Sequence, residues 1–95
     1  MASRKIDYNG LRLKVGSDER LILADFESSN LLVLAYNVSM KQVIAVFKSS
    51  TEKRYLYNAV PPKTFFKVLA ADSVGSAFNK EIVKGGFDYY DEPNK

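Results

Sequence analysis

The sequence predicts a small α+β domain, in which an antiparallel β-sheet, formed by an N-terminal hairpin and a meander, is packed by a C-terminal pair of short helices. Three observations predict this class. Asn9-Gly10 stands between two stretches in which apolar and polar residues alternate. Runs rich in β-branched and aromatic residues then alternate with polar turns as far as Asn58. Beyond the double proline Pro61-Pro62, the apolar residues recur at helical spacing.

The first predicted element is a β-hairpin centred on Asn9-Gly10. Both residues tolerate the positive φ angles that a two-residue hairpin turn requires. Pairing about this turn places apolar residues on one face and charged residues on the other, and this agreement between turn and pattern specifies the register. The expected pairs are Tyr8 with Leu11, Ile6 with Leu13 and Asp7 with Arg12.

The middle of the chain is predicted to form the rest of the sheet. Residues 20–26 are apolar on both faces, as is typical of a central strand. Residues 31–36, 42–48 and 54–58 predict an antiparallel meander, with a polar loop at 49–53. Tyr55 and Tyr57 share one face of the last strand because side chains alternate with a period of two. The loop length leaves open whether that face also carries Ile44 and Val46, or Val43, Ala45 and Phe47.

The C-terminal third is predicted to form the helix pair. Pro61 favours an extended Val60 and Pro62 suits a first helical turn. The stretch 63–71 presents an apolar stripe, and Asp72 or Ser73 is a suitable cap for the next helix. That helix is expected to end at Gly85-Gly86, with a short extended segment at 87–90 and fraying from Asp91 to Lys95. The apolar helix positions are Phe65, Phe66, Val68, Leu69, Val74, Phe78 and Ile82.

Composition narrows the class of function. The chain has 95 residues, is 46% hydrophobic, and contains neither cysteine nor histidine. Disulfides and thiolate metal sites are therefore excluded, and the commonest metal ligand and general base is missing. No apolar run approaches the ~20 residues of a membrane span, and no secretory signal opens the sequence. We expect a cytoplasmic protein that is not an enzyme and has no cofactor, no metal and no membrane or small-molecule partner.

Charge is unevenly distributed although the net value is only +3. The middle of the chain is basic and its end is acidic. This pattern fits a surface that faces phosphates, and the alternative, which we prefer, is that these charges belong to solvated turns and helix faces. Between residues 41 and 67 the cations are Lys41, Lys48, Lys53, Arg54, Lys63 and Lys67, against the single acid Glu52.

The order of several short motifs resembles the KTSC domain. This family is named for its occurrence at the C-terminus of some lysyl-tRNA synthetases, and it also occurs as a stand-alone domain in bacteria and phages. RNA binding has been suggested for it, and no catalytic activity is attached to it. The residues that carry the resemblance are Ser28-Ser29-Asn30-Leu31, Tyr36-Asn37, Phe47, Tyr55-Leu56-Tyr57, Val60-Pro61, Leu69, Ala71, Ser73-Val74-Gly75, Phe78-Asn79 and Ile82.

The resemblance also suggests how the chain is divided. We expect an N-terminal hairpin and strand extension at 1–26, a KTSC-like domain at 27–90, and a flexible tail at 91–95. Two features depart from the family's pattern. The loop before Tyr55 lacks the usual glycine, and Asn37 stands where an aspartate is common. Residues 1–26 lie outside the pattern.

Tyr55 and Tyr57 are the first candidate site. On an open sheet face they would stack successive bases, with Lys48, Lys53 and Arg54 contacting phosphates. The basic residues Lys63 and Lys67 would extend the same surface. The alternative is that both tyrosines lie beneath the helices as part of the core.

Ser73, Gly75 and Ser76 are the second candidate site. They open a helix, so that backbone N–H groups there would hold a phosphate or carboxylate. The alternative is that Gly75 permits close packing. Asn79 on the same helix is expected to be buried and to bond a loop.

The functional hypothesis is a binding module that contacts a macromolecular partner, protein or RNA, and is phage-encoded. The alternative is an RNA-binding domain that uses a basic, tyrosine-bearing sheet face. A protein partner would dock on the N-terminal hairpin or on an exposed strand edge, and such an edge would also permit a homo-oligomer.

Overall fold

A computed structural model describes residues 3–8, 11–16, 20–24 and 26–93. Within these residues strands and helices follow one another in an order that confirms the α+β class. The strands are β1 (Ser3–Tyr8), β2 (Leu11–Gly16), β3 (Leu21–Leu23), β4 (Leu31–Asn37), β5 (Gln42–Phe47), β6 (Ser50–Tyr57) and β7 (Tyr89–Pro93). The helices are α1 (Pro62–Leu69) and α2 (Val74–Phe78), and α2 continues as a π-helical turn, Asn79–Val83.

The N-terminal hairpin has the predicted register. β1 and β2 are antiparallel, and all three expected pairs are present, including Tyr8 opposite Leu11. The predicted turn at Asn9-Gly10 lies outside the described residues. The two strands form a separate two-stranded sheet rather than an extension of the meander, which differs from the single sheet that we predicted.

The main sheet is a five-stranded antiparallel meander in the order β3-β4-β5-β6-β7. The predicted central strand at 20–26 is shorter than expected: it covers only Leu21–Leu23 and lies at one edge. The other edge is β7, which follows the helices and pairs with β6. The predicted fraying is therefore wrong for Asp91–Pro93, because pairing with β6 orders this short polar segment.

The register of β5 and β6 decides which face carries the tyrosines. Val43 lies opposite Tyr57 and Ala45 opposite Tyr55, so that both tyrosines share the face of Val43, Ala45 and Phe47. The connection is tighter than predicted: Phe47 pairs with Ser50, and the polar residues 50–53 belong to β6.

The helices begin where the sequence predicts. Pro61 precedes α1 as its N-cap, and Pro62 occupies the first turn. The Oγ of Ser73 caps α2 by accepting a hydrogen bond from the Ser76 backbone N–H. Gly86, in the turn after the π-helical segment, has a φ of +83°, a conformation that favours glycine.

Both helices pack on one face of the main sheet and form the larger core. The predicted positions Phe65, Val68, Val74, Phe78 and Ile82 are buried. Phe66, which we assigned to the apolar stripe, is exposed instead, because α1 turns Phe65 and Val68 toward the sheet. Facing these helices, the sheet contributes Leu34, Tyr36, Val43, Ala45 and Tyr57.

Two buried amides fasten the end of the sheet where β4 turns into β5. The Oδ1 of Asn37 accepts from the backbone N–H of Met40 at 3.1 Å and closes that turn. The Nε2 of Gln42 donates to Asn58 Oδ1 at 2.8 Å and to the hydroxyl of Tyr90 at 3.2 Å. These bonds connect β5 to β7 and satisfy polar groups that are costly to bury unpaired.

Candidate functional site

An open cleft of about 340 Å³ lies on the helix-covered face of the main sheet. Strands β5, β6 and β7 supply its aromatic side chains, and α2 with its π-helical turn supplies the opposite wall. The loop before β4 contributes one amide. We call this cleft the tyrosine cleft. Its lining residues are Asn30, Phe47, Tyr55, Tyr57, Gly75, Phe78, Asn79, Val83 and Tyr89.

The aromatic rings of the cleft hold one another in place. The rings of Tyr57 and Phe78 meet edge to face, with centroids 5.7 Å apart. Phe47 makes the same type of contact with Tyr55 at 5.5 Å and with Phe78 at 6.0 Å. Tyr89 stacks on Tyr57 at 5.2 Å with an interplanar angle of 27°. Such contacts restrict ring orientation, so that the cleft is largely preformed.

Tyr57 is the polar centre of the cleft. Its side chain is nearly buried, with 4% of the residue exposed, yet within the described part of the chain its hydroxyl has no hydrogen-bond partner. Burial raises the pKa of Tyr57, and the neighbouring hydroxyls of Tyr89 and Tyr55 raise it further. The hydroxyl therefore stays protonated at neutral pH and is available as a donor to a group in the cleft.

The mouth of the cleft is apolar and exposed. Val83 is 44% exposed and Tyr89 is 62% exposed, and both line the cleft. Asn79 is also exposed there, which contradicts our expectation that it is buried and bonds a loop. Asn79 begins the π-helical turn at the point where α2 ends.

Gly75 is required by a close approach between α2 and the loop before β4. A Cβ atom at this position would lie 2.7 Å from Ser28 Oγ and 3.0 Å from Asn30 Oδ1. Ser28 Oγ is itself held, because it donates to Asn30 Oδ1 at 2.7 Å and accepts from the backbone N–H of Leu31 at 3.2 Å. This geometry agrees with the packing interpretation of Gly75, with the loop rather than another helix as its neighbour.

A comparison with protein families matches residues 27–87 to the KTSC domain. The chain belongs to the KTSC domain family. A search of curated proteins found no match. The matched range contains β4 to β6, both helices and every residue of the tyrosine cleft except Tyr89.

The structure divides the predicted basic surface of this KTSC domain. Arg54 lies on the opposite sheet face from Tyr55 and binds Glu92 through Nε at 2.7 Å and through its terminal nitrogen. Lys67 Nζ lies 3.4 Å from Glu81 Oε1 on the helices. Lys63 lies exposed in the first turn of α1. None of these three cations lines the tyrosine cleft.

Lys48 and Lys53 lie closer to the cleft. Lys48 Nζ donates to the backbone carbonyl of Ser28 at 2.5 Å, in the loop that carries Asn30. Lys53 is exposed on the same side of β6 as Tyr55. Tyr57 belongs to the core, in agreement with the alternative that we gave for the two tyrosines. The helices cover the sheet face that the first hypothesis treated as an open stacking platform.

The second candidate site has little capacity for an anion. Ser73 Oγ already accepts from the Ser76 backbone N–H at 3.3 Å and contacts Ser76 Oγ at 3.0 Å. Two carboxylates, Glu27 and Asp72, line the cavity beside Ser73, Gly75 and Ser76, and they would repel a phosphate. The described geometry favours structural roles for these residues.

Among the residues that the structure describes, no three carboxylates are grouped so that they could hold a metal ion. No helix in those same residues is long and apolar enough to cross a membrane.

Sequence reasoning missed several cleft residues because they come from separate elements. Val83 and Tyr89 received no functional role, and Phe47 and Phe78 were treated as ordinary apolar residues. One signal was present nevertheless. Seven cleft residues are among those that carry the resemblance to the family, namely Asn30, Phe47, Tyr55, Tyr57, Gly75, Phe78 and Asn79.

Proposed function

We propose that this KTSC domain is a non-enzymatic binding module that contacts a macromolecular partner through the tyrosine cleft. The observation that carries the proposal is the hydroxyl of Tyr57, a residue whose ring contacts Phe78 and Tyr89 and whose hydroxyl has no partner among the described residues. A polar group that the protein leaves unpaired beside an open cleft is available to a ligand, and such groups in natural proteins call for a functional explanation. A ligand group in the cleft would satisfy it.

The chemistry of the lining argues against catalysis. The nine lining residues include no carboxylate, lysine or histidine, so that no general base is available in the cleft. Its phenols are poor bases at neutral pH, and burial makes the Tyr57 hydroxyl still harder to ionise by raising its pKa. Asparagine amides and phenols recognise a group through hydrogen bonds and leave it unchanged.

The mouth of the cleft suits a large partner. Val83 and Tyr89 offer apolar surface beside the opening, and exposed apolar residues at a cavity are typical of contact sites. The cleft takes one side group while the surrounding surface contacts the rest of the partner. Protein and RNA are the two partners proposed, in a cytoplasmic setting that the cysteine-free composition favours. A phage origin remains part of this proposal.

Affinity capture from a bacterial lysate, with and without nuclease, tests the proposal. The informative variant is Val83→Ser with Tyr89→Ala, which removes the apolar mouth at two exposed positions. The matched control is Met40→Ala with Phe66→Ala, since both residues are exposed and neither lines the cleft. We expect the cleft variant to lose the captured material and the control to keep it. Equal capture by the two folded variants would reject the proposal.

A further inference from the structure

We propose that the tyrosine cleft takes one unpaired nucleobase of a single-stranded nucleic acid, with the Tyr57 hydroxyl donating a hydrogen bond to an acceptor on the base edge. This inference rests on the proposed function, because it names the partner class of the same cleft. It differs from a stacking platform on an open sheet, in which several bases would lie side by side.

The size of the cleft favours a single flat group. Its volume of about 340 Å³ lies at the small end of the ~300–1,000 Å³ typical of ligand pockets. Tyr89 stacks on Tyr57 with one ring face, and its 62% exposure leaves the other face open to a planar ligand. Unstacked bases are commonly held against aromatic side chains in this way.

The polar groups of the cleft decide between a base and a protein side chain. Tyr57 supplies a fixed donor, and the exposed amide of Asn79 supplies both a donor and an acceptor at the mouth. The edge of a nucleobase carries several hydrogen-bonding groups in one plane. A leucine or phenylalanine side chain carries none, and it would leave the Tyr57 hydroxyl unsatisfied. The lining therefore favours a planar group with hydrogen-bonding edges, such as a base, over an apolar side chain.

A sugar-phosphate backbone would lie outside the cleft, where lysines are within the same region of the chain. The lining residues carry no formal charge, so that the phosphates would remain outside. Three exposed lysines lie near the opening: Lys53 on the same side of β6 as Tyr55, and Lys80 and Lys84 directly after Asn79 and Val83. Carboxylates lie nearby as well: Asp88 and Asp91 belong to the β7 side, and Glu27 and Asp72 line the adjoining cavity. Phosphate contacts by these lysines would be sequence-independent, and the base would supply the discrimination.

The test uses fluorescent decamers of single-stranded RNA, the same sequences as DNA, and a decamer of abasic sugar-phosphate. Binding to the full chain is measured by fluorescence anisotropy over a range of salt concentrations. We expect base-bearing decamers to bind at least tenfold more tightly than the abasic one. Preference for RNA, or equal binding of RNA and DNA, supports the proposal in both cases and identifies the source of the base.

Two variants locate the base. Tyr57→Phe removes only the hydroxyl, and we expect about three- to tenfold weaker binding of base-bearing decamers with an unchanged salt slope. Tyr89→Ala, at an exposed position, should cost about tenfold. Lys84→Ala should instead reduce the salt slope by about 0.7, as the loss of one single-strand phosphate contact does. Met40→Ala is the control and should bind as the unmodified chain.

The outcomes separate the two proposals. Equal binding of the abasic and base-bearing decamers, or full affinity in both Tyr57→Phe and Tyr89→Ala, would overturn the nucleobase inference. If lysate capture depends on the cleft but resists nuclease, the nucleobase inference fails and the binding module stands, with a protein as its partner. If capture is indifferent to the cleft variant, both fail.

Discussion

Two tyrosines on the same face of the main sheet have opposite environments. Tyr36 is 1% exposed, stacks on Phe65 with centroids 5.0 Å apart, and donates its hydroxyl to the Val60 carbonyl at 2.6 Å. Tyr57 is almost as buried and lines the cleft, but its hydroxyl has no partner among the described residues. Burial alone therefore does not distinguish a structural tyrosine from a binding one. The distinguishing property is whether the polar atom is satisfied by the protein itself.

The difference follows from what covers each end of the face. Val60 and the start of α1 pack directly over Tyr36, and the Tyr36 ring stacks on the Phe65 ring. Over Tyr57, α2 approaches the loop before β4 at Gly75, and the π-helical turn then leaves room between Asn79, Val83 and Tyr89. We call the first region the sealed end and the second the open end.

The largest expected effect is at the sealed end. Phe65 is fully buried against Tyr36, and Phe65→Ala should lower the free energy of unfolding by about 3–5 kcal/mol. Urea denaturation followed by circular dichroism measures this change. Val83→Ala at the open end is the comparison and should cost far less. A loss below about 1 kcal/mol for Phe65→Ala would contradict the description of this end as tightly packed.

Removing single hydroxyls tests the contrast most directly. Tyr36→Phe leaves the Val60 carbonyl buried without its donor and should cost about 1–3 kcal/mol of stability. Tyr57→Phe removes a hydroxyl that has no partner among the described residues, and should change stability by less than about 0.5 kcal/mol. Both values come from the same urea titrations. Equal losses in the two variants would mean that Tyr57 is also structurally bonded.

Gly75→Ala should destabilise the open end by about 1–2 kcal/mol, because the new methyl group would overlap Ser28 Oγ. The control is the same substitution in a Ser28→Ala background, where that oxygen is absent. In a double-mutant cycle the cost of Gly75→Ala should then be smaller. The same cost in both backgrounds would show that the contact with Ser28 is not what requires the glycine.

Alkaline pH provides a test that involves both tyrosines. Burial raises the pKa of Tyr36 and of Tyr57 above the ordinary value of 10.0. The unfolded chain therefore loses these protons at lower pH than the folded chain does. Their contribution to stability is complete below pH 10 and is lost as the pH rises above it.

Urea midpoints measured from pH 8 to about pH 11 follow this loss. The Tyr36→Phe and Tyr57→Phe double variant should have a shallower decline than the unmodified chain. Identical declines would show that other groups control alkaline unfolding.

Local signals predict local structure well in this chain. The register of β1 and β2 follows from the alternation on either side of the turn, and α2 begins at Ser73, which caps it as its residue type suggests. β7 was predicted only in part, as an extended segment at 87–90, because Asp91–Pro93 has the composition of a tail and becomes part of a strand only by pairing with β6. The predicted burial of Phe66 was wrong, since packing decides which side of a short helix faces the sheet.

The tyrosine cleft depended on information that local patterns do not contain. The sequence did not determine which face of β6 packs against the helices, because the register of β5 and β6 depends on the length of the turn between them. That turn proved shorter than the predicted loop. The π-helical turn, which carries Asn79 and Val83, was not predicted, because no sequence pattern in this stretch distinguishes it from an α-helix. The resemblance to the KTSC family was the one signal that joined these distant residues.

The smallest predicted effect concerns the backbone that closes the sealed end. Ala59 has a φ of 56°, in the left-handed region that disfavours residues with a Cβ atom. This conformation precedes Val60, whose N–H donates to the Lys41 carbonyl at 2.8 Å and whose own carbonyl accepts from Tyr36. Ala59→Gly should therefore relieve strain and raise stability by about 0.5 kcal/mol, after the entropic cost of glycine.

Ala70→Gly is the matched control: Ala70 is exposed with a φ of −81°, so that only the entropic cost remains and stability should fall. Thermal melting compares the two, and a loss in both would show that Ala59 bears no strain in closing this end.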